Sequence, residues 1–284
     1  MSFKNLGKTF KYVNEKGDTL VFEYDKGYLI NKPNGVDSVQ VGLSFAQGIG
    51  QVGSTVQSKV VKARPINISG IVVNADQEAR KAALMSVVRP DIGGRLYADD
   101  YFLEVYVTST PTIEARKNFP HFQFSLSAPY PYWQKANKVS KALFGVEKMF
   151  KFPWNISREY QFGRLMKTQF VNILNSGQMP VPFTATFTAT NDVTNPKIIN
   201  VQTGEVMIIN KSMIPNERIV VEITHGLTHV VSSVDGDIRA TLDLDSNLFR
   251  LGVGDNVLKP EAEAGIDDLE VYIEFSPEIA GVTV

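Results

Sequence analysis

Cysteine is absent from the 284 residues of this chain. Its absence excludes disulfide bonds, thiolate zinc sites and thiol nucleophiles, and is typical of a protein that folds in a reducing cytoplasm. The chain also lacks any run of about 18 apolar residues and any apolar segment of signal-peptide length near its N-terminus. We therefore expect neither Sec export nor membrane insertion.

The chain has no strongly basic or strongly acidic segment. Its 29 basic and 30 acidic residues give a net charge of -1 and an isoelectric point near 6.3. Because phosphate backbones are bound by clustered Lys and Arg, sequence-specific binding of nucleic acid is not expected. There are only three histidines and no G-x-S-x-G motif, and no pair of carboxylates stands out for glycoside hydrolysis. We therefore predict that the protein is not an enzyme.

Apolar and polar residues alternate with a period of two along much of the chain. In "HFQFSLSA", Phe122, Phe124 and Leu126 fall on one face and polar residues on the other, as a half-buried strand requires. The same alternation predicts strands in "FTATFTA" (183–189), "IRATLDL" (238–244) and "LEVYIEF" (269–275). Turn signals separate these runs at short intervals. This pattern is typical of sandwiches or barrels rather than of βαβ units, and of these we predict a mainly β fold of two β-sandwich-like domains, built from antiparallel sheets with one wet face.

One segment, "NADQEARKAALMSVVRP", has the pattern of an α-helix. Asn74 and Gln77 have the spacing of a capping box, and Pro90 forces the helix to stop at Arg89. An apolar stripe runs along one face and consists of Ala83, Leu84, Val87 and Val88. This is the single helix that the sequence predicts, and it belongs to the N-terminal half.

The segment "GIGQVG", residues 48–53, contains the G-x-G-x-x-G pattern of dinucleotide-binding loops. In those loops the glycines turn a strand into a helix whose first N–H groups hold a pyrophosphate. Here the residues that follow, "STVQSKVVKARPINISGIVV", predict a strand. We therefore interpret Gly48, Gly50 and Gly53 as part of a loop or hairpin tip that needs positive φ, and expect no nucleotide or other cofactor.

Two histidines in "HGLTH" have a spacing that invites a zinc interpretation. His225 and His229 are four residues apart, but a zincin motif needs a helix and an acid beside the first histidine, where this chain has Gly226. On a strand the two side chains would lie about 13 Å apart, at ~3.3 Å per residue, which is too far to share a metal. We interpret them as solvated strand or turn residues.

The stretch "DLDSN" has the first spacings of a calcium-binding loop. Asp243, Asp245 and Asn247 match those positions, but Leu248 stands where the loop needs glycine and Gly254 where it needs glutamate. We interpret the acids as polar residues of a strand face followed by a turn. No metal site is predicted anywhere in the chain.

The segment "SAPYPYW" joins two β-rich parts of the chain. Its prolines end strand pairing, and its aromatic rings offer a rigid packing surface. We predict a domain corner formed by Pro129, Tyr130, Pro131, Tyr132 and Trp133. It divides the chain into an N-terminal domain, 1–133, and a C-terminal domain, 134–284. The next segment, "KANKVSKALFGVEKMF", is open to two interpretations, an amphipathic helix or a linker followed by a strand.

The order of these motifs resembles the distal tail proteins of long-tailed (siphovirus) phages of Gram-positive bacteria, a phage tail component family. The resemblance covers nearly the whole chain. It is carried by "ARPINISGIV", "VVRPDIGGRLYADDYFLEVYV", "HFQFSLSAPYPYW", "FKFPW", "ILNSGQMPVPFTATFTAT", "NPKIINVQTGEVMIIN" and "LFRLGVGDNVL". The family implies that the N-terminal domain forms a hexameric ring at the end of the tail tube. It also implies that the C-terminal domain is a galectin-like β-sandwich.

The resemblance implies a structural role at the virion tail tip, for a protein made in the bacterial host cytoplasm. The expected partners are copies of the same chain, the tail tube protein, a tail-tip hub or tail-associated lysin or fiber protein, and a receptor-binding protein. In this role Gly48, Gly50 and Gly53 would belong to a loop that contacts a neighbouring subunit or the tube. The ring would join the tail tube to the host-adsorption apparatus.

A carbohydrate-binding adhesion module of a tail or cell surface is the alternative function. Exposed Tyr130, Tyr132, Trp133 or Trp154 on a β-sandwich would stack on sugar rings. An aromatic residue at a proline corner is, however, more often packed between domains. The exposure of the rings and the oligomeric state of the protein therefore separate the two functions.

Overall fold

The computed structural model describes residues 9–73, 76–114, 118–143, 145–147, 164–166 and 170–283. The chain divides into two compact units, Met1–Asn137 with Glu278–Val284, and Lys138–Pro277. The expected boundary after residue 133 differs from this division by a few residues. The expected domain of 134–284 also misses the return of the C-terminus to the first unit, which is carried by a strand of two residues that leaves no pattern in the sequence.

The first unit is built on one large antiparallel sheet and one α-helix. Its elements are β1 (Phe10–Asn14), β2 (Thr19–Phe22), β3 (Tyr28–Ile30), β4 (Val41–Ala46), β5 (Thr55–Val61), β6 (Arg64–Val72), α1 (Gln77–Val87), β7 (Gly93–Ala98), β8 (Tyr101–Ile113), β9 (His121–Ala128) and β10 (Trp133–Lys135). A short 3-10 helix, Tyr24–Lys26, precedes β3. The sheet has the order β2-β1-β7-β8-β9-β6-β3, and β10 pairs with β8.

The core of the first unit lies on the inner face of this sheet. The predicted alternation in β9 is confirmed, because Phe122, Phe124, Leu126 and Ala128 are all buried. Phe22 of the edge strand β2 stacks on Phe122, with ring centroids 6.4 Å apart. Strands far apart in the sheet order therefore meet across the core, so the sheet curls around its aromatic side chains.

The predicted helix exists and covers part of this core. It begins at Gln77 with Asp76 as its N-cap, so the predicted capping box is wrong, and Asn74 itself lies outside the described residues. The helix ends at Val87, two residues before the predicted stop at Arg89. Leu84, Val87 and Val88 of the predicted apolar stripe are buried, whereas Ala83 is only partly buried.

The second unit contains the remaining strands up to Phe275. They are β11 (Val139–Ala142), β12 (Gly145–Glu147), β13 (Arg164–Met166), β14 (Val171–Asn175), β15 (Thr184–Ala189), β16 (Val193–Thr194), β17 (Lys197–Asn200), β18 (Val206–Ile208), β19 (Ser212–Met213), β20 (Arg218–Ile223), β21 (Thr228–Ser232), β22 (Gly236–Asp237), β23 (Gly254–Glu261) and β24 (Leu269–Phe275). Two 3-10 helices, Arg239–Thr241 and Ile266–Asp268, join them. The last strand of the chain, β25 (Glu278–Ile279), pairs with β10 of the first unit to which it belongs.

Two antiparallel sheets face each other in the second unit. One has the order β11-β24-β15-β20-β21-β22 and the other β14-β23-β17-β18, and a single apolar core joins them. The strands predicted at 183–189 and 269–275 are confirmed as β15 and β24, which bury alternate residues. The segment "KANKVSKALFGVEKMF" contains β11 and β12, so of its two interpretations the linker followed by a strand is correct for the described residues. The galectin-like character of this sandwich stays a prediction.

The strand predicted at 238–244 is wrong. Residues Arg239–Thr241 form a 3-10 helix, and the side chain of Leu244 is fully exposed. The Asp237 carboxylate accepts the backbone N–H of Arg239, and the Asp243 carboxylate accepts that of Asp245. These local hydrogen bonds hold the chain in turns and compete with a strand ladder. Among the described residues, no helix is long and apolar enough to cross a membrane.

Candidate functional site

The glycine-rich segment lies at the tip of a β-hairpin. Strands β4 and β5 form a two-stranded antiparallel sheet, with Val41 opposite Val61 and Ala46 opposite Thr55. The register shifts between Ser44 and Phe45, which marks a bulge or irregularity in the ladder. The hairpin interpretation is confirmed, and the glycines are followed by β5 rather than by a helix. The N-terminal N–H groups that would hold a pyrophosphate are therefore missing from this position.

The turn at the tip depends on glycine backbone conformations and on one glutamine side chain. Gly50 and Gly53 have φ of 76° and 84°, and among the described residues beyond the two adjacent ones no atom lies within 4 Å of a Cβ built at either position. Positive φ is thus what favours glycine at these two positions, whereas Gly48, where we expected it as well, does not have it. The Gln51 side chain accepts the N–H of Gly48 at 2.9 Å and donates to the Thr55 hydroxyl at 3.1 Å. The tip is therefore an ordered turn.

One face of the hairpin is apolar and uncovered. The strand pairing places Val41, Val61, Leu43, Lys59, Phe45 and Val56 on the same face. All six side chains are exposed, and Phe45 exposes 56% of its surface. Apolar side chains on a sheet with unpaired edges are a typical docking or aggregation surface.

The tip of the hairpin is also apolar and exposed, and the hairpin carries few charges. Ile49 and Val52 at the tip are as exposed as in an extended chain, at 110% and 101% of the reference surface. Lys59 and Lys62 are the only charged residues between positions 41 and 62. The hairpin therefore offers apolar surface and positive charge but no carboxylate or histidine for acid–base chemistry.

The predicted corner around Trp133 belongs to the interior of the first unit. Trp133 is fully buried among that unit's core residues, and its indole N–H donates to the carbonyl of Val36 at 3.0 Å. The ring thus packs among core residues of the first unit, and the domain corner that we expect around it stays a prediction. Pro131 is buried beside it and Pro129 is exposed. An indole in this position has no face on which a sugar could stack.

The two tyrosines of the corner are only partly exposed. The Tyr130 hydroxyl donates to the carboxylate of Glu278, and the rings of Tyr130 and Tyr132 meet edge to face with centroids 5.5 Å apart. Trp154, the other aromatic considered for sugar stacking, lies outside the described residues. The corner thus ties the end of β9 to the returning C-terminal segment.

A buried arginine, which our sequence interpretation missed, also links the corner to the C-terminal segment. Arg64 is 1% exposed and donates to the carbonyls of Pro131 at 2.7 Å, Gly35 at 2.9 Å, Val36 at 2.9 Å and Ala280. Burial lowers the pKa of its guanidinium to about 10, so it stays charged at neutral pH. A sequence signal exists, because the period of two in β6 places residue 64 on the same face as the buried isoleucines 66 and 68.

The two motifs considered for metal binding are not brought together with further ligands. His225 lies in a turn, and His229 lies on β21 opposite Glu222. Asp243 accepts the Asn210 amide at 2.6 Å, and this hydrogen bond and that from Asp245 hold the pKa of its carboxyl below the usual range. In the part of the chain that the structure describes, no group of three or more His, Asp or Glu side chains is arranged to hold a metal ion.

The comparisons with known proteins point to phage tails. Residues 176–278 match the family described as siphovirus-type tail component, C-terminal domain, a range that contains β15 to β24. The fold is similar to the crystal structure of the SPP1 Dit (gp 19.1) protein, which is described as a paradigm of the hub adsorption apparatus in phages that infect Gram-positive bacteria. The TM-score is 0.71 at 12% identity, over 95% of this chain and 98% of that chain.

A second likeness is to a chain of the phage P2 baseplate in its activated conformation with Ca. Its TM-score is 0.51 at 10% identity, over 97% of this chain and 99% of that chain. No curated protein matches the sequence. At these identities the likenesses show the fold, and the family match covers the larger part of the second unit.

These matches are to structural proteins of tails and baseplates, not to enzymes. They confirm the family resemblance that the strand and turn motifs carry in the sequence. Residues 176–278 match the C-terminal domain of siphovirus-type tail components, and the chain has the fold of the SPP1 Dit protein over almost its whole length.

Proposed function

We propose that this protein forms a hexameric ring at the tail tip, which joins the tail tube to the host-adsorption apparatus. The observation that carries the proposal is the β4–β5 hairpin, whose apolar face and tip are uncovered in the single chain. Such a surface favours association, because water gains when the apolar side chains are buried. In the proposed ring, a second copy of the chain covers the hairpin.

A protruding hairpin is suited to the head-to-tail contacts of the proposed ring. A protruding arm and the surface that receives it are different patches of the molecule, so in the proposed ring each copy would pass its arm to the next copy, head to tail. Head-to-tail contacts close into a ring when the rotation between neighbours divides a full turn. For a permanent ring of this kind we expect each interface to bury well above ~1,600 Å² with an apolar centre.

The ring would present two faces and an outer rim to different partners. We propose the tail tube protein on one face and a tail-tip hub or a tail-associated lysin or fiber protein on the other, with a receptor-binding protein as a further partner. DNA would pass through the bore unread, in agreement with the net charge of -1. The absence of cysteine agrees with synthesis in the host cytoplasm before assembly at the virion tail tip.

The alternative function, a carbohydrate-binding adhesion module, loses its main support. It required exposed aromatic rings at the corner, and the largest of them, Trp133, is fully buried. Tyr130 is held by Glu278 and Tyr132 rests against Tyr130. We therefore do not propose saccharide binding at this site.

The test of the ring is to replace the hairpin tip, Gln47 to Ser54, by a short Gly/Ser linker. The tip makes its hydrogen bonds within itself and with Thr55, so both units should still fold and melt normally. Light scattering and electron microscopy should show hexameric rings for the parent protein and smaller species for the variant. A matched control replaces the exposed turn of residues 201–205 in the second unit and should keep the rings.

Two outcomes would count against this proposal. A parent protein that stays monomeric at concentrations used for tail reconstitution would contradict the ring itself. A tip variant that still forms rings and still supports tail assembly would show that the tip is an ordinary surface loop.

A further inference from the structure

A surface groove of the first unit lies between α1 and the end of β8. It is lined by Glu78, Lys81, Ala82, Met85 and Ile113 and encloses about 360 Å³. Met85 exposes 54% of its surface there, although it lies on the helix that covers the core. Methionine is a flexible apolar side chain that adapts to a partner, and it is over-represented at binding surfaces. The groove therefore has the chemistry of a site for an apolar side chain.

The charges of the groove are already balanced. The Lys81 ammonium lies 2.7 Å from the Glu78 carboxylate, so an occupant need not supply a counter-charge. An uncharged apolar occupant is the one that fits, because burying a further charge beside this pair would leave it unpaired. The remaining lining side chains, Ala82, Met85 and Ile113, offer apolar contact.

The hairpin tip has the complementary chemistry. Residues 47–54 carry no charge, and Ile49 and Val52 project as two fully exposed apolar side chains. The arm from Val41 to Ile49 spans up to about 25 Å, at ~3.3 Å per residue, which is enough to reach a neighbouring molecule. Because both side chains are fully exposed, they do not occupy the groove of their own chain.

We propose that Ile49 and Val52 of one copy insert into the groove between α1 and β8 of the next copy. This inference rests on the proposed ring and names the surface that receives the hairpin. The tip and the groove are both on the first unit but are different patches, so each copy gives one contact and receives one. In the proposed ring this contact repeats head to tail from one copy to the next.

A second cavity on the first unit serves as the comparison site. It lies on the outer face of the large sheet and is lined by, among others, Glu15, Arg95, Glu104 and Tyr106. Its polar lining is a poor match for an uncharged apolar tip, since buried carboxylates would lose water without gaining partners. Tyr106 is 54% exposed, the same fraction as Met85, which makes it a matched control position.

Because the chain has no native cysteine, the contact can be tested by disulfide formation. The test variant carries Ile49→Cys and Met85→Cys, and the control carries Ile49→Cys and Tyr106→Cys. After mild oxidation, mass spectrometry should identify a bond between positions 49 and 85 of different chains in the first variant and none between 49 and 106 in the second. Disulfides need Cβ atoms about 3.5–4.5 Å apart, so this readout reports direct contact.

A second measurement does not depend on cysteine geometry. Met85→Asp should raise the concentration at which the oligomer forms by about a hundredfold or more, since a carboxylate would be buried without a partner. Tyr106→Asp should leave that concentration unchanged. Rings that form without a 49–85 bond and tolerate Met85→Asp would overturn the groove as the docking site and leave the ring intact. A parent protein that never assembles would overturn the ring, and this inference with it.

Discussion

Arg64 donates a hydrogen bond to the backbone carbonyl of Ala280, a residue 216 positions later in the chain. The returning C-terminal segment is also held by the Val282 N–H, which donates to the carbonyl of Val36 at 3.1 Å. Val282 is itself buried in the core of the first unit. The first unit is thus completed by residues that follow the whole of the second unit along the chain.

Replacing Arg64 by Met should destabilise the first unit by about 3 kcal/mol or more, because the carbonyls of Pro131 and Gly35 would lose the donor that this buried side chain supplies. Urea unfolding measures this change. The control is Arg95→Met, which removes an exposed ion pair with Glu104 and should cost at most about 1 kcal/mol. Equal effects of the two substitutions would contradict the structural role of Arg64.

Adding one methyl group at Gly281 should weaken the attachment of the C-terminal segment. A Cβ at this position would lie 2.1 Å from the backbone oxygen of Asp37, so the segment must shift. We expect Gly281→Ala to lose about 1–3 kcal/mol of stability and to open the C-terminus to limited proteolysis. Gly226→Ala is the control, because a Cβ there has no neighbour within 4 Å. Protection equal to that of the parent would show that the segment is not held by this contact.

Truncating Trp133 to Ala should cost about 3–5 kcal/mol in the free energy of unfolding, because a large buried side chain leaves a cavity. Trp133→Phe should cost only about 1–2 kcal/mol. The smaller loss is expected because the carbonyl of Val36 keeps Arg64 and Val282 as donors after the indole N–H is gone. A Trp133→Ala variant whose free energy of unfolding hardly changes but which loses glycan binding would instead support the adhesion function.

A charge on the apolar face of the hairpin should break assembly without unfolding the chain. Phe45 is 56% exposed, so Phe45→Glu should change the melting temperature of the monomer little. In the ring the carboxylate would be buried, and light scattering should report dissociation. Val234→Glu, at a residue of the second unit that is 55% exposed, should leave the rings intact.

The second unit should lose stability in acid partly through Glu261. Lys259 and then Lys197 hold the pKa of this carboxyl below its usual range, at distances of 2.5 and 2.9 Å. A depressed pKa contributes stability that is present above the unfolded pKa and is lost as pH falls through the folded one. Glu261→Gln should therefore be less stable than the parent at neutral pH, and the difference should vanish in acid. Glu274→Gln, at an exposed residue, serves as the control in urea unfolding across pH.

The strands and the helix were predictable where the apolar residues of the sequence pattern are the residues that the structure buries in its core. β9, β15 and β24 alternate in sequence and bury alternate residues in the structure, because a strand on a core has one apolar face. The hairpin tip was predictable for a different local reason, since glycine alone adopts positive φ at no cost. The strand predicted at 238–244 was wrong because of local hydrogen bonds. Asp side chains stabilise turns there, although the segment alternates like a strand.

The sequence by itself determined the strand period, helix α1 and the glycine turn, all of which depend on neighbours along the chain. Its lack of cysteine also excludes thiol chemistry. Only the tertiary structure decided which alternating segments are covered. "VGLSFA" in β4 alternates as a core strand does, yet its apolar residues Val41, Leu43 and Phe45 are exposed, because no layer formed by the described residues packs on the hairpin. Burial is set by contacts between residues distant in sequence, and for this reason the hairpin became a candidate interface only in the folded chain.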